Sequence, residues 1–146
     1  MAAISYPDSS FLVSLVCRDS NSASASHYML KNSAELAFTP LHRIEIRNAL
    51  RNTAARHEIT ENECRTAFQH IEDDLEEGLL IPIPFSWTDA LRRADQLSED
   101  HREKDGQRTL DLLHVAIARE VHAPIFLTFD KRQRRLARSA GLRVEP

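Results

Sequence analysis

Ala3-Ile4-Ser5-Tyr6-Pro7-Asp8-Ser9-Ser10 is a short apolar run that ends on an acid and two hydroxyls. Such a burst predicts a buried strand running into a helix cap. In an open α/β sheet the first strand often lies centrally, and ligands gather beyond the carboxyl ends of the strands. Asp8 stands at such an end, although for a lone acid the plainer reading is that Asp8 or Ser9 merely caps the next helix. The rest of the chain has to decide between these two readings.

Outward from Asp8, the residues Phe11, Leu12, Leu15 and Val16 recur at helical spacing, and the helix is expected to fade near Arg18-Asp19. Ser20 to Ser26 reads as a turn leading into a weak helix through Tyr28 and Met29. Leu36-Ala37-Phe38 predicts a strand, and Thr39-Pro40 then starts a helix, with Thr39 as N-cap and Pro40 where its missing N–H costs nothing. That helix runs to about Arg56 and carries Glu45 in its second turn. Thr60-Glu61-Asn62-Glu63 is a capping box, followed by Cys64, Phe68, Ile71 and Leu75 on one face and by Gly78 as a stop. Leu79 to Ile83 predicts a strand at a sheet edge, since Pro82 and Pro84 each remove a ladder donor.

Trp87, Ala90, Leu91, Ala94 and Leu97 mark the next helix, and Asp100 to Gly106 reads as a charged loop. Arg108 to Val121 is apolar nearly all round, which predicts burial on more than one side; Asp111 interrupts it in the first turn. Ile125-Phe126-Leu127 is a buried strand closed by Thr128-Phe129-Asp130, and Asp130 can cap a final helix that Gly141 ends. Leu142 to Val144 is a last short strand. Strands alternating with helices predict an α/β fold, a three-layer α/β/α sandwich around a central, mostly parallel sheet.

The chain has 146 residues, 42% hydrophobic and 28% charged, which suits a single domain over 1–146 and excludes a disordered chain. No apolar span is long enough for a membrane helix, and no basic stretch leads into a signal-peptide core. Cys17 and Cys64 form neither a metal-type pair nor a disulfide framework, so a reducing cytoplasm is the expected setting. The net charge of −3 argues against nucleic acid only if charge is spread evenly, and it is not.

In the predicted sheet Asp8 and Asp130 both follow strands, so both lie at the carboxyl edge. Glu45 sits early in a helix leaving that edge. The helix of Asp111 runs antiparallel to the strand it feeds, so its first turn starts there too. Four carboxylates therefore converge by topology. Two carboxylates about 4 Å apart repel by about 1 kcal/mol in water and about 4 kcal/mol at an effective dielectric near 20. Oxygen-only ligands suit Mg²⁺ or Mn²⁺ rather than zinc, and such an ion can activate water and stabilise charge on a phosphodiester. Separate caps and ion pairs would explain Asp8 and Asp130 but not Asp111, an acid inside an apolar helix.

The runs Tyr6-Pro7-Asp8-Ser9-Ser10-Phe11-Leu12 and Thr39-Pro40-Leu41 ahead of Glu45 and Asn48-Ala49-Leu50 resemble those of the PIN-domain nucleases. Arg108-Thr109-Leu110-Asp111-Leu112-Leu113-His114-Val115-Ala116 and Leu127-Thr128-Phe129-Asp130 extend the likeness across nearly the whole chain. Within that family the sequence is most similar to VapC-type toxins of bacterial toxin–antitoxin pairs. The resemblance implies a PIN-like sandwich and Mg²⁺- or Mn²⁺-dependent cleavage of RNA, with Asp8, Glu45, Asp111 and Asp130 as catalytic and metal-binding residues. It places Ser9 or Ser10 and Thr128 at hydroxyl positions beside those acids. It also implies a cognate antitoxin as partner and leaves room for a homodimer.

Other residues carry two readings each. His114, a turn from Asp111, can orient that acid or touch substrate, but reads better as a satisfied core histidine. Arg108 can bind a phosphate or pair with an acid, and Asn48 can hold Glu45 or a metal-bound water. Asp73, Asp74, Glu76 and Glu77 read as a solvated face. Lys131, Arg134, Arg135 and Arg138 fall at i, i+3, i+4 and i+7, a stripe that could lead RNA phosphates to Asp130 or simply face water, with Leu136, Ala137 and Ala140 opposite. Against a nuclease stand a PIN-like module that grips RNA or a partner without cutting, and an aspartyl-phosphate phosphatase using Asp8. The phosphatase reading lacks the second Asp such enzymes carry two residues on, where this chain has Ser10.

Overall fold

The computed structural model describes residues 3–104 and 106–146. Five strands, β1 (Ile4–Pro7), β2 (Glu35–Phe38), β3 (Leu80–Pro82), β4 (Ile125–Leu127) and β5 (Arg143–Glu145), form one sheet in the order β3-β2-β1-β4-β5. Every pairing is parallel, from Ile4 opposite Glu35 to Leu127 opposite Glu145. β1 is central and β3, with its Pro82, lies at the edge, as a strand missing a ladder donor should.

The strands' period of two divides the core. Leu36, Phe38, Leu80 and Leu127 face one side of the sheet, where they pack with α1 (Ser9–Val16), α2 (Ser22–Asn32), α3 (Pro40–Ala55) and α4 (Glu61–Glu76). Tyr6, Ala37 and Phe126 face the other, with α5 (Trp87–Asp100), α6 (Thr109–Glu120) and α7 (Lys131–Ser139). Alternation along each strand thus builds both outer layers of the α/β/α sandwich.

The helix starts are written locally. Thr39 accepts from the N–H of His42 with Pro40 next in line, and Thr60 and Glu63 close their capping box. Leu112 to Ala118 of α6 are all buried, although Leu110 in its first turn is 44% exposed. Two helices differ from the sequence reading by more than the residue or so by which β3 and β5 are shifted. α1 stops at Val16, because Cys17 is already extended, and α2 is a full 11-residue helix closed by Ser33 in the left-handed region. In the 100–106 segment, Asp100 still belongs to α5, and Asp105 lies outside the described residues. Among the described residues, no helix is long and apolar enough to cross a membrane.

Strand order reverses at β1, with β2 and β3 added on one side of it and β4 and β5 on the other. The connection after β1 turns onto one face through α1, and that after β4 turns onto the other through α7. The carboxyl ends of β1 and β4 therefore flank a topological switch point, the usual place for a crevice in such a sheet.

Candidate active site

A cavity of about 360 Å³ opens at this switch point, and Asp8, Glu45, Asp111 and Asp130 all line it. Asp8 ends β1 and caps α1, so the capping reading and the site reading of this residue coexist. Its Oδ1 accepts from the N–H of Phe11 (2.8 Å) and from Ser10 Oγ (2.9 Å), and its Oδ2 accepts from Thr128 Oγ1 (2.5 Å). Asp8 as a whole is only 6% exposed. Burial pushes its pKa up against the opposing pull of those three donors.

Asp130 caps α7, its Oδ1 accepting from the N–H groups of Arg132 (2.8 Å) and Gln133 (3.0 Å). The carboxylate of Asp111, in the first turn of α6, accepts no hydrogen bond among the described residues. Burial raises its pKa, and the like charge of Asp130 adds to the rise. Glu45 behaves differently. Burial alone would raise its pKa, but hydrogen bonds from His114 and from Ser9 Oγ (2.7 Å) outweigh that and hold it low.

Arg108, the N-cap residue of α6, also lines the cavity and takes part in no ion pair among the described residues. Asn48 does not reach the cavity. On a helix it lies 60° to one side of Glu45, whereas Ala49 lies 40° to the other; Asn48 is exposed and Ala49 lines the wall. In the basic stripe Lys131, Arg135 and Arg138 are exposed, with Arg135 3.7 Å from Glu103. Arg134 is turned inward. Its Nη2 donates to the carbonyls of Thr128 (3.4 Å) and Pro146 (3.1 Å), because it sits at the margin of the buried Gln133-Leu136-Ala137 face.

Three contributors escape a reading by local pattern. His114 is buried and satisfied, as a core histidine should be, but one of its partners is Glu45 rather than a core group. Asp19 lines the cavity with its carboxylate engaged by Ser14 Oγ and the N–H of Asn21, both at 2.8 Å. Gln133 ties two acids together: its backbone N–H holds Asp130, and its Nε2 donates to the Asp111 carbonyl at 3.1 Å.

The donor set has the chemistry of a hard-cation site: carboxylate oxygens from four elements, two of them short of compensating positive charge. Both ring nitrogens of His114 are engaged by neighbours, so imidazole is not on offer as a ligand. Among the described residues, no three His, Cys, Asp or Glu side chains close around a single point.

Comparison with known proteins places this arrangement. No curated protein matches the sequence. Among solved structures, the fold is similar to VapBC2 from Rickettsia felis, bound there to a DNA fragment from their promoter. The TM-score is 0.64 at 15% identity, covering 97% of each chain. FitAcB from Neisseria gonorrhoeae is similar with a TM-score of 0.65 at 12% identity, over 98% of this chain and 96% of that one. At such identities the likeness concerns the fold. The model of the PIN domain family matches residues 5–139, from β1 to the last residue of α7, and all five acids lining the cavity fall inside that match. With family match, sheet order and acid-lined switch point in agreement, the chain belongs to the PIN domain family.

Proposed function

We propose that this chain is a Mg²⁺- or Mn²⁺-dependent endoribonuclease and the toxin of a toxin–antitoxin pair. The observation that carries the reading is the convergence of Asp8, Glu45, Asp111 and Asp130, from four separate elements, on one cavity of a PIN-family chain. Asp8, Glu45, Asp111 and Asp130 would hold a divalent cation, which when bound would supply positive charge to activate water and offset charge building on the phosphodiester. The protein's part is to hold the carboxylates ready. Thr128 and Ser10 fix Asp8, and Gln133 fixes Asp130 relative to Asp111. Arg108 at the cavity wall offers a guanidinium to a phosphate oxygen.

The toxin assignment rests on the resemblance to VapC-type proteins and on the similarity to VapBC2. The cavity's surplus negative charge suits a partner that sends an arginine into it, neutralising the acids as a cation would. Incubating the purified chain with total RNA tests the activity: cleavage should appear with Mn²⁺ and stop with EDTA. Asp8→Asn and Asp111→Asn should abolish it while staying folded, since each removes a charge that burial disfavours. Full activity in either variant, or indifference to EDTA, would sink the nuclease reading. Growth arrest on expression, relieved by the neighbouring open reading frame, tests the toxin part.

A further inference from the structure

We propose that His114, held by Tyr6, is a positioning residue for Glu45, fixing which carboxylate oxygen is given to the cavity; this rests on the nuclease reading above. His114 lies one turn after Asp111 on α6, and Glu45 lies on α3, 69 residues away in sequence. The imidazole joins the two helices. Its Nδ1 is 2.8 Å from Tyr6 Oη, and its Nε2 meets Glu45 Oε1, with Ser9 Oγ at 3.1 Å.

One tautomer satisfies every contact. The Tyr6 hydroxyl donates to Nδ1, and the Nε2–H donates to Glu45 Oε1 with Ser9 Oγ as a second acceptor. The ring is 2% exposed and wedged between Tyr6, at 5.7 Å, and His42, at 4.9 Å, so it cannot turn without opening the core.

The consequence falls on Glu45. The Ser9 hydroxyl donates to Oε1, the same oxygen that His114 takes. Among the described residues no hydrogen bond falls on Oε2, which keeps its full capacity as an acceptor. A histidine serving the core alone would place both nitrogens on core groups. Here one nitrogen is anchored to the fully buried Tyr6 and the other is committed to a carboxylate on the cavity wall. This is how outer residues orient the ligands of metal sites, and losing such a residue commonly lowers metal affinity by about 10- to 100-fold.

Two readouts on the full chain test this. In the full chain without added metal, ¹⁵N–¹H correlation of the histidine rings should show the His114 proton on Nε2 facing Glu45, and Glu45→Gln should shift that signal. An averaged tautomer, or a signal unmoved by Glu45→Gln, would overturn the proposal. In calorimetric titration with Mn²⁺, His114→Leu should weaken binding by about 10-fold or more. Tyr6→Phe should weaken it less, and His114→Gln, which keeps an N–H donor where Nε2 stood, should recover most of the loss. Thermal melts confirm that each variant is folded. Unchanged affinity in a folded His114→Leu variant, or no recovery in His114→Gln, would count against positioning; the latter would make the ring itself a ligand. A wild-type chain that binds no Mn²⁺ yet keeps the tautomer signature would overturn the nuclease reading and leave the contact standing.

Discussion

His42 shows how much one side chain can settle. It occupies the third position of α3, where a capping box ordinarily uses Glu or Gln. Its Nδ1 accepts from the N–H of Thr39 (3.0 Å), and its Nε2 donates to the carbonyl of Pro7 (2.8 Å). Those two groups would otherwise meet in the β1–β2 ladder. The ring stands between them, so the strands part at their carboxyl ends without orphaning a buried polar group. His42 has no exposed surface, and burial, followed by the adjacent His114, lowers its pKa well below the usual histidine value. The unfolded chain therefore takes up a proton below about pH 6.5 that the native state refuses, and stability falls as pH falls. The slope from this group reaches about 1.4 kcal/mol per pH unit. Urea unfolding at pH 7.5, 6.5 and 5.5 should show wild type losing about 1 kcal/mol more than His42→Gln over the last step, since Gln keeps the capping box and does not titrate. Parallel losses in the two proteins would remove His42 from the account.

Among the elements, α7 is where pattern and packing diverge. Spacing puts Lys131, Arg134, Arg135 and Arg138 on one stripe, yet Arg134 borders the buried face and spends its guanidinium on the carbonyls of Thr128 and Pro146. The proposed RNA track thus consists of Lys131, Arg135 and Arg138. Changing these three to Gln should flatten the log–log salt dependence of single-stranded RNA binding by about 0.7 for each lost phosphate contact. Arg134→Gln should leave that slope alone and lower stability instead. A slope moved by Arg134→Gln and not by the triple change would reverse the assignment. The contrast marks what was legible in the sequence. The capped starts of α3 and α4, the edge placement of β3 and the buried α6 rest on signals within a few residues, and each is found. The four acids could be placed together because each sits at an element end whose direction the alternation of strands and helices dictates. Whether Asn48 or Ala49 reaches the cavity turns on 100° of helix rotation, and the partner of His114 lies 69 residues away. Local pattern carries neither.

At the scale of the molecule, charge distribution matters more than its sum. The net charge is −3, but Asp8, Asp19, Glu45, Asp111 and Asp130 share one cavity with Arg108 as the only cation among its described lining residues. Burial and the nearby Asp130 raise the Asp111 pKa, so at neutral pH its ionised form works against the fold and would be relieved by protonation. Asp111→Asn should therefore melt above wild type in the absence of metal, by a margin on the order of 1 kcal/mol, the scale of a single charge pair in water. A cation relieves the same repulsion, and because it binds only the folded state it stabilises by about 2.7 kcal/mol at 100 times its dissociation constant. For a chain of this size that raises the melting temperature by about 5–10 °C. Scanning calorimetry of wild type should show this rise with Mn²⁺ and its reversal by EDTA. Asp111→Asn, starting higher and lacking one ligand, should rise less. An equal rise in both proteins would place the ion elsewhere, and no rise in wild type would mean that these acids hold no such cation.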